Sequence, residues 1–185
     1  MYEQGIGRHL RSSLSGFDNR MTDLIVFRNG SFDNVDAETV GTELALEGSW
    51  TNSVRGRASY TLQKTQNRSA AWDFPDSPQH LLKLNLSGPL YRDKLFAGLE
   101  YQYTSDRRTV FTSTSGATVT GDDAAGFGVL NATLFSQGLV KNLEFSASIY
   151  NLLDQSYSDP ASRIHAQAKI LQDGRSFRVK LTYRF

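Results

Sequence analysis

The sequence predicts an all-β fold, namely an antiparallel up-and-down transmembrane β-barrel segment of about eight strands. Three observations support this prediction. Apolar and polar residues alternate along the strands, long and short connections alternate along the chain, and the apolar strand faces carry no charge. The clearest strand is formed by the last ten residues, 176–185. Because successive side chains of a strand point to opposite faces, this strand has one apolar and one polar face.

The closing strand also has the length of a membrane-spanning strand. Ten residues match the about 9 to 11 that a tilted strand needs to cross a bilayer. A half-buried strand of a soluble sandwich or small barrel would show the same alternation, so this stretch alone leaves both alternatives open. Its apolar positions are Phe177, Val179, Leu181, Tyr183 and Phe185, and its polar positions are Arg178, Lys180, Thr182 and Arg184.

The first strand is predicted over residues 8–27, and its register is ambiguous. Leu10, Leu14 and Gly16 share a face, but the alternation of apolar and polar residues fails beyond Gly16. A β-bulge at Gly16 is therefore expected, because one extra residue would bring Phe17 onto the same face. Asn29-Gly30 then predicts a tight turn.

The remaining strands follow the same alternating pattern. Each has an apolar set of residues on alternate positions and a mostly polar set between them, which is typical of antiparallel sheets and barrels. No convincing helix pattern, fixed-period repeat or domain linker interrupts them, so residues 1–185 are interpreted as one domain. The predicted ranges are 34–50, 54–66, 79–88, 95–107, 126–136, 143–151 and 176–185.

Composition excludes several classes of protein. Twenty Lys and Arg against nineteen Asp and Glu give a net charge of +1, which provides no electrostatic footprint for nucleic acid. Cysteine is absent, so no disulfide framework or thiolate metal site is expected. Mean hydropathy is −0.41. No run of about 18 apolar residues exists for a membrane helix, whereas the alternating strands of a membrane barrel keep mean hydropathy low.

Connection lengths distinguish a membrane barrel from a soluble sheet. In an up-and-down sheet every second connection lies at the same end, so all long connections share one end and the short ones share the other. Outer-membrane barrels have this asymmetry. The exception is 29–33, which is shorter than its companions. The long connections are 67–78, 108–125 and 152–175, and the short ones are 51–53, 89–94 and 137–142.

Charge on the strand faces supports the same interpretation. From the second strand onward the apolar faces, taken from Val40 to Trp50 in the second strand and from Gly56 to Leu62 in the third, contain no Asp, Glu, Lys or Arg. A Lys or Arg there would cost about 2 to 4 kcal/mol at the bilayer midplane. A watery lumen accommodates charges on the opposite faces, whereas a soluble core would exclude them. These charges are Glu43, Glu47, Arg55, Arg57, Lys83, Glu100, Glu144, Arg178, Lys180 and Arg184.

Aromatic residues are expected near both ends of the strands. Trp50, Tyr183 and Phe185 fall near the short turns, and Tyr101, Tyr103 and Phe177 fall near the long loops. This distribution is similar to two interfacial girdles. The alternative is that these residues are ordinary strand formers.

Three motifs carry a family resemblance. Gly41-Thr42-Glu43-Leu44, after Asn34-Val35, matches part of an Asn-x-x-x-Ala-x-x-x-Gly-x-Glu-Leu strand pattern. The run from Tyr150 to Tyr157 contains Asn151-Leu152-Leu153-Asp154, which is similar to Asn-Leu-Phe-Asp-x-x-Tyr with Leu153 in place of Phe. The third motif runs from Gly174-Arg175-Ser176-Phe177 to the terminal Phe185. Together they resemble the C-terminal part of the β-barrel of TonB-dependent outer-membrane receptors.

The resemblance implies a localisation and a set of partners. Family members have 22 barrel strands, an N-terminal plug in the lumen and a TonB-contacting box, and the plug domain has no counterpart here. The chain is therefore expected to be a fragment or truncated product in the cell outer membrane, not transport-competent alone. Its expected partners are outer-membrane lipid, the barrel-assembly machinery, and the TonB system only through the missing plug region. The barrel-assembly signal would comprise Phe177, Val179, Leu181, Tyr183 and Phe185.

The long loops contain candidate binding residues, and the sequence shows no catalytic arrangement. A receptor for a ferric siderophore, cobalamin or a similar nutrient needs cations and aromatics there, which predicts Trp72, Arg107, Arg108 and Phe111 as ligand-binding residues. A solvated loop end is an equal alternative. His9, His80 and His165 have no ligand-like spacing, and Asp122-Asp123 lacks the spacing of a calcium loop. No enzyme activity, metal or cofactor is predicted.

Two other protein classes remain open from the sequence. The first is a self-contained eight-stranded outer-membrane protein with a structural or adhesive role, because about eight strands can close around a side-chain-filled interior. The second is a soluble ligand-binding barrel.

Overall fold

A nine-stranded antiparallel sheet dominates the structure, a computed structural model that describes residues 1–69 and 74–185. The order in the sheet is β1-β2-β3-β4-β5-β6-β9-β10-β13, which confirms the up-and-down topology. The strands are β1 (Tyr2–Ile6), β2 (Leu10–Arg28), β3 (Ser31–Ser49), β4 (Arg55–Asn67), β5 (His80–Tyr91), β6 (Leu95–Thr104), β9 (Phe127–Val140), β10 (Leu143–Tyr150) and β13 (Ser176–Tyr183).

The strand count exceeds the predicted eight for two reasons. Tyr2–Ile6 forms β1, a five-residue strand that pairs with β2 and is too short to show a clear alternation. Two small hairpins also form inside predicted loops. They are β7 (Val110–Thr112) with β8 (Thr118–Thr120), and β11 (Ser158–Pro160) with β12 (Lys169–Leu171). No helix in the described ranges is long and apolar enough to span a membrane.

The predicted β-bulge at Gly16 is wrong. Gly16 pairs with Thr42 in an unbroken register, and the irregularity lies between Met21 and Leu24. Asp23 there has a φ of 56°, a left-handed conformation that Asp tolerates better than most residues. The failed alternation beyond Gly16 thus reflects a real change of chemistry along one face, because polar residues replace apolar ones.

The long and short connections lie at opposite ends of the sheet, as predicted. The turns at 7–9, 50–54, 92–94 and 141–142 share the turn-bearing end, and the connections 68–79, 105–126 and 151–175 share the loop-bearing end. The exceptional turn at Asn29-Gly30 also lies at the loop-bearing end. β2 and β3 are each 19 residues long and extend beyond their neighbours, so this tight turn is the tip of a long hairpin.

The two faces of the main sheet differ in chemistry. The apolar face exposes the side chains predicted to contact lipid, including Leu14, Leu44, Leu62, Leu86, Leu99 and Val179. The polar face carries the predicted charged residues. Because the sheet is a single layer, the few buried apolar residues are small or lie near the loops, as Ala37, Ala124 and Ala161 do.

Aromatic rings cover glycines on the apolar face. The Trp50 indole packs where a side chain on Gly48 would lie, and the Tyr101 ring does the same at Gly128. An aromatic side chain beside a strand glycine restores the missing packing. The placement of Trp50 at the turn-bearing end and of Tyr101 nearer the loops agrees with the predicted girdles.

The sheet is open. β1 and β13 are its two edges, and each has a single strand neighbour. An edge strand presents a row of backbone N–H and C=O groups without ladder partners. Both edges are therefore sites at which further strands can add.

Candidate functional site

The loop-bearing end is organised around Arg107, which is only 8% exposed. Arg107 follows β6 and forms an isolated bridge with Ala124. Its Nη2 donates to Asp159 Oδ1 at 2.6 Å, and its Nη1 donates to Asp76 Oδ1 at 3.1 Å. Asp76 belongs to the β4–β5 connection and Asp159 to β11, so one guanidinium joins three connections.

Further contacts fix the Arg107 side chain. Nη2 also donates to the Ser158 carbonyl oxygen at 3.3 Å. The Arg107 Cζ lies 5.5 Å from the Phe127 ring centroid, within cation–π range. Phe127 in turn stacks on Tyr157 with centroids 4.1 Å apart. We call these six residues, Asp76, Arg107, Phe127, Tyr157, Ser158 and Asp159, the arginine clasp.

The clasp shifts two pKa values upward. Burial raises the pKa of Asp76 and the neighbouring Asp159 carboxylate raises it further, while Arg107 opposes both effects. The net direction of the Asp76 pKa is upward although Arg107 lies beside the carboxylate, because burial is the largest effect. Burial also raises the pKa of Tyr157, with repulsion from Asp159 and Asp173 adding to it.

Asn151, the first residue after β10, orders the turn that leads to Tyr157. Asn151 is 3% exposed and has a φ of 51°. Its Oδ1 accepts from the Gln155 N–H at 2.9 Å, and its Nδ2 donates to the Gln155 carbonyl oxygen at 2.9 Å. Its own N–H donates to Asn131 Oδ1 at 2.9 Å. Asparagine suits this position, because it tolerates a left-handed backbone and bonds with local backbone groups.

Two more motif residues connect this turn to the closing strand. Asp154 has a φ of 54°, and its Oδ1 accepts from the Arg175 N–H at 2.7 Å. A side chain on Gly174 would come within 2.9 Å of the same oxygen and would displace the Asp154 carboxylate. Tyr157 supplies the ring that stacks on Phe127. Leu153, where the resembling motif has Phe, is exposed.

A recess of about 330 Å³ opens beside the clasp on the polar face. Tyr150, Tyr157, Asp159 and Asp173 contribute to its wall. Aromatic rings and hydrogen-bonding groups thus meet where the polar face reaches the loop-bearing end.

The predicted ligand-binding residues occupy different environments. Arg107 is enclosed by the clasp, whereas Arg108 is exposed and its carbonyl oxygen accepts from the Asp76 N–H at 3.1 Å. Phe111 is half-buried in β7, opposite Val119. Trp72 lies outside the described residues. The structure thus brings Arg107, Arg108 and Phe111 to one end of the sheet, and their role in binding a ligand stays a prediction.

Several residues of this end were missed by sequence reasoning. The two carboxylates of the clasp are 31 and 52 residues from Arg107 in sequence, and nothing in the sequence pairs them. The same is true of Asn29 at the β2–β3 turn. Its N–H donates to Thr118 Oγ1 at 3.1 Å and its Oδ1 accepts from the Thr118 N–H at 3.0 Å, which ties the turn to the β7–β8 hairpin.

The polar face pairs some of its charges. Arg11 contacts Glu47 at 2.6 Å and Arg184 contacts Glu144 at 2.9 Å. Within the described ranges, four cations on this face have no ion-pair partner: Arg55, Lys83, Arg178 and Lys180.

The predicted assembly signal lies on the free edge of the sheet. Phe177, Val179, Leu181 and Tyr183 share the apolar face of β13 and are all exposed, and Phe185 follows them at the terminus. Tyr183 and Phe185 pack edge to face with centroids 5.3 Å apart. Recognition of this edge by assembly factors stays a prediction.

An open up-and-down antiparallel sheet with one apolar face and loops at one end defines this chain as a segment of a transmembrane β-barrel. The family model for the β-barrel of TonB-dependent receptor-like proteins matches residues 3–152. The chain belongs to this family. No curated protein sequence matches it.

Solved structures of the same family share the fold. The chain is similar to the copper transporter OprC, with a TM-score of 0.74, 24% identity, and coverage of 97% of this chain and 28% of that one. It is similar to the pyoverdine outer membrane receptor FpvA from Pseudomonas aeruginosa PAO1, with a TM-score of 0.74, 16% identity, and coverage of 95% and 27%. It is also similar to the FrpB iron transporter from Neisseria meningitidis, with a TM-score of 0.70, 15% identity, and coverage of 99% of this chain and 29% of that one. The chain thus spans less than a third of each.

Proposed function

We propose that this chain forms the C-terminal wall of the barrel of an outer-membrane receptor that imports a ferric siderophore, cobalamin or a similar nutrient. The observation that carries the proposal is the family match over residues 3–152, joined to an open sheet whose apolar face suits lipid. The receptor family also supports a transport role and not an enzymatic one.

The ligand is proposed to meet the loop-bearing end. Arg108 and Phe111 lie there and supply the cationic and aromatic groups that an anionic chelate requires. Trp72 is retained as a candidate from the sequence alone. Similar structures support iron chelates as the substrate class, since one is described as a ferric-catecholate import receptor and another as bound to pyoverdine. OprC, described as a copper transporter, makes a copper compound the alternative.

Residues 1–185 alone are proposed to be unable to transport. Both sheet edges have a single strand neighbour, and the chain covers about a quarter to a third of the similar receptors. Coupling to TonB would come through a plug region outside these residues. Outer-membrane lipid would contact the apolar face, and the barrel-assembly machinery would recognise the edge that ends in Phe185.

Uptake measurements test the proposal. A strain lacking the natural gene is compared with its parent for uptake of iron from a panel of ferric siderophores, of cobalamin and of copper. Loss of one uptake activity, restored by the full-length gene and not by residues 1–185, is expected. Unchanged uptake of every compound would contradict the nutrient role, and restoration by residues 1–185 would contradict the requirement for the rest of the receptor.

A further inference from the structure

The apolar face of β2, β3 and β4 changes abruptly to charged residues towards the loop-bearing end. The cross-strand pairs Leu14–Leu44 and Gly16–Thr42 are followed by Asp18–Val40 and Arg20–Glu38. Because directly opposed residues share a face, these charges continue the surface that faces lipid. We call this group the ionic band; its members are Asp18, Arg20, Asp36, Glu38, Lys64 and Arg68.

Ion pairs organise the ionic band around Glu38. Arg20 Nε donates to Glu38 Oε1 at 3.0 Å, and Arg68 Nη1 donates to Glu38 Oε2 at 2.6 Å. Arg20 Nη2 also donates to Asp18 Oδ2 at 2.9 Å. The Glu38 side chain is only 13% exposed, so it lies beneath the two arginines. Two guanidinium groups are therefore fixed side by side on the oxygens of one carboxylate.

The ionic band has N–H donors that are left to bind an anion. Nη1 of Arg20, and Nε and Nη2 of Arg68, donate no hydrogen bond to another described residue. Lys64 lies opposite Val40 on the same face and forms no ion pair with any residue whose structure is described. Asp36 lies opposite Arg68 on the same face, and its Oδ1 accepts from the Asp23 N–H. Three cations therefore face three carboxylates, and an anion would bind through the unused N–H donors and not through an excess of positive charge. Adjacent guanidinium groups present forks of N–H donors that match phosphate geometry.

The position of the ionic band identifies its ligand. Val40 lies within the band, between Asp18 and Lys64. Immediately below it, Leu62 and Leu44 expose the apolar surface that acyl chains would cover. The next layer of a bilayer is the headgroup region, where cations attract anionic lipids. We propose that the ionic band binds the phosphate groups of lipid headgroups at the outer surface of the membrane. This inference rests on the membrane location included in the proposed function, but not on any transported nutrient.

The test measures lipid retention by the full-length natural chain in detergent. Native mass spectrometry compares phosphatidic acid with phosphatidylcholine of the same acyl chains. Wild type is expected to retain phosphatidic acid preferentially, and the preference should fall about five-fold for each cation removed by Arg20→Gln, Lys64→Gln or Arg68→Gln. Added salt should weaken retention as well.

Arg11→Gln is the matched control. Arg11 lies on the same strand as Arg20, is similarly exposed (58% against 65%) and is also paired with a glutamate, but it faces the polar side. Its substitution is expected to leave lipid retention unchanged. Equal loss in Arg11→Gln, or no loss in the three band variants, would overturn the proposal.

Two additional readouts distinguish the lipid site from a general anion site and from the transport role. Competition by soluble glycerol phosphate at concentrations equal to the lipid would overturn the assignment to a lipid and indicate a general anion site. Failure of nutrient uptake with normal lipid retention would contradict the transport role alone. A band variant that takes up nutrient normally but loses phosphatidic acid would support the lipid site alone.

Discussion

The arginine clasp and the closing strand β13 satisfy their polar groups in opposite ways. In the clasp, the Arg107 guanidinium is bonded to partners from two other connections of this same chain. On β13 both faces are exposed, and one backbone edge has no strand neighbour. Both terminal nitrogens of the Arg107 guanidinium find partners within the chain, and only its buried Nε lacks a partner among the described residues. β13, in contrast, needs lipid on one face and another strand on its edge.

This difference indicates that the clasp and β13 have different structural roles. Groups of the clasp determine how the loop-bearing end is arranged, whatever surrounds the segment. Groups of β13 determine what the segment joins. Substitutions in the clasp should therefore change local order, and substitutions in β13 should change insertion and assembly.

The largest effect is expected for an arginine on the apolar face of β13. Val179 lies midway along this strand, where Arg would meet the bilayer midplane, so Val179→Arg should cost about 2 to 4 kcal/mol. Thr182→Arg is the matched control, because Thr182 lies on the polar face and pairs with Glu144. The amount of heat-modifiable, membrane-inserted protein measures both. Equal tolerance of the two variants would contradict lipid contact at Val179.

Arg107→Met should have the next largest effect. It leaves Asp76 and Asp159 facing each other without a cation, and the expected cost of about 2 kcal/mol lies below the range for fully buried pairs because both carboxylates are partly exposed. Hydrogen exchange of residues 105–126 and 151–175 should accelerate while that of β3 and β4 remains unchanged.

Arg175→Met provides the comparison for the clasp, because Arg175 is an exposed arginine of the 151–175 connection. Slow exchange should persist in this variant. Acceleration of the same size in Arg175→Met would show that the two arginines support the loops equally.

Removing the Asn151 side chain should have a smaller effect. Asn151→Gly keeps the left-handed backbone but loses both bonds to Gln155, at an expected cost of about 1 kcal/mol. Asn151→Ala should cost more, because Ala is also strained at this φ. Thermal unfolding of the two variants measures the difference, and an Ala variant as stable as the Gly variant would exclude the backbone contribution.

The smallest effect concerns pH. Because the folded protein raises the pKa of Asp76, protonation of this group favours the folded state, and its contribution to stability is lost as pH rises through the folded pKa. Asp76→Asn should flatten this dependence in the mildly acidic range, with Arg107 still bonded through the amide oxygen. Stability of the loop-bearing end, obtained from its hydrogen-exchange rates across that pH range, should vary less with pH in the variant than in wild type. A dependence as steep as in wild type would exclude Asp76 as its source.

Sequence reasoning identified β13 more completely than the clasp. Alternation along β13 is a local pattern, so the sequence alone assigned each side chain from Phe177 to Tyr183 to a face. The clasp depends on contacts between loops that are distant in sequence. In the sequence, a single arginine in a polar stretch cannot be told from any other solvated cation. The same sequence reasoning predicted a bulge at Gly16, because it expected one face to stay apolar along its whole length.

The length of β2 and β3 has a consequence for recognition from outside the cell. At about 3.3 Å per residue, and tilted as barrel strands are, 19 residues rise roughly 45 Å. The hydrocarbon core is only about 30 Å thick. On the proposed topology, the tip of this hairpin therefore stands in water as a hydrogen-bonded ribbon. Antibodies raised against it would recognise a conformational epitope, and the corresponding linear peptide would compete poorly.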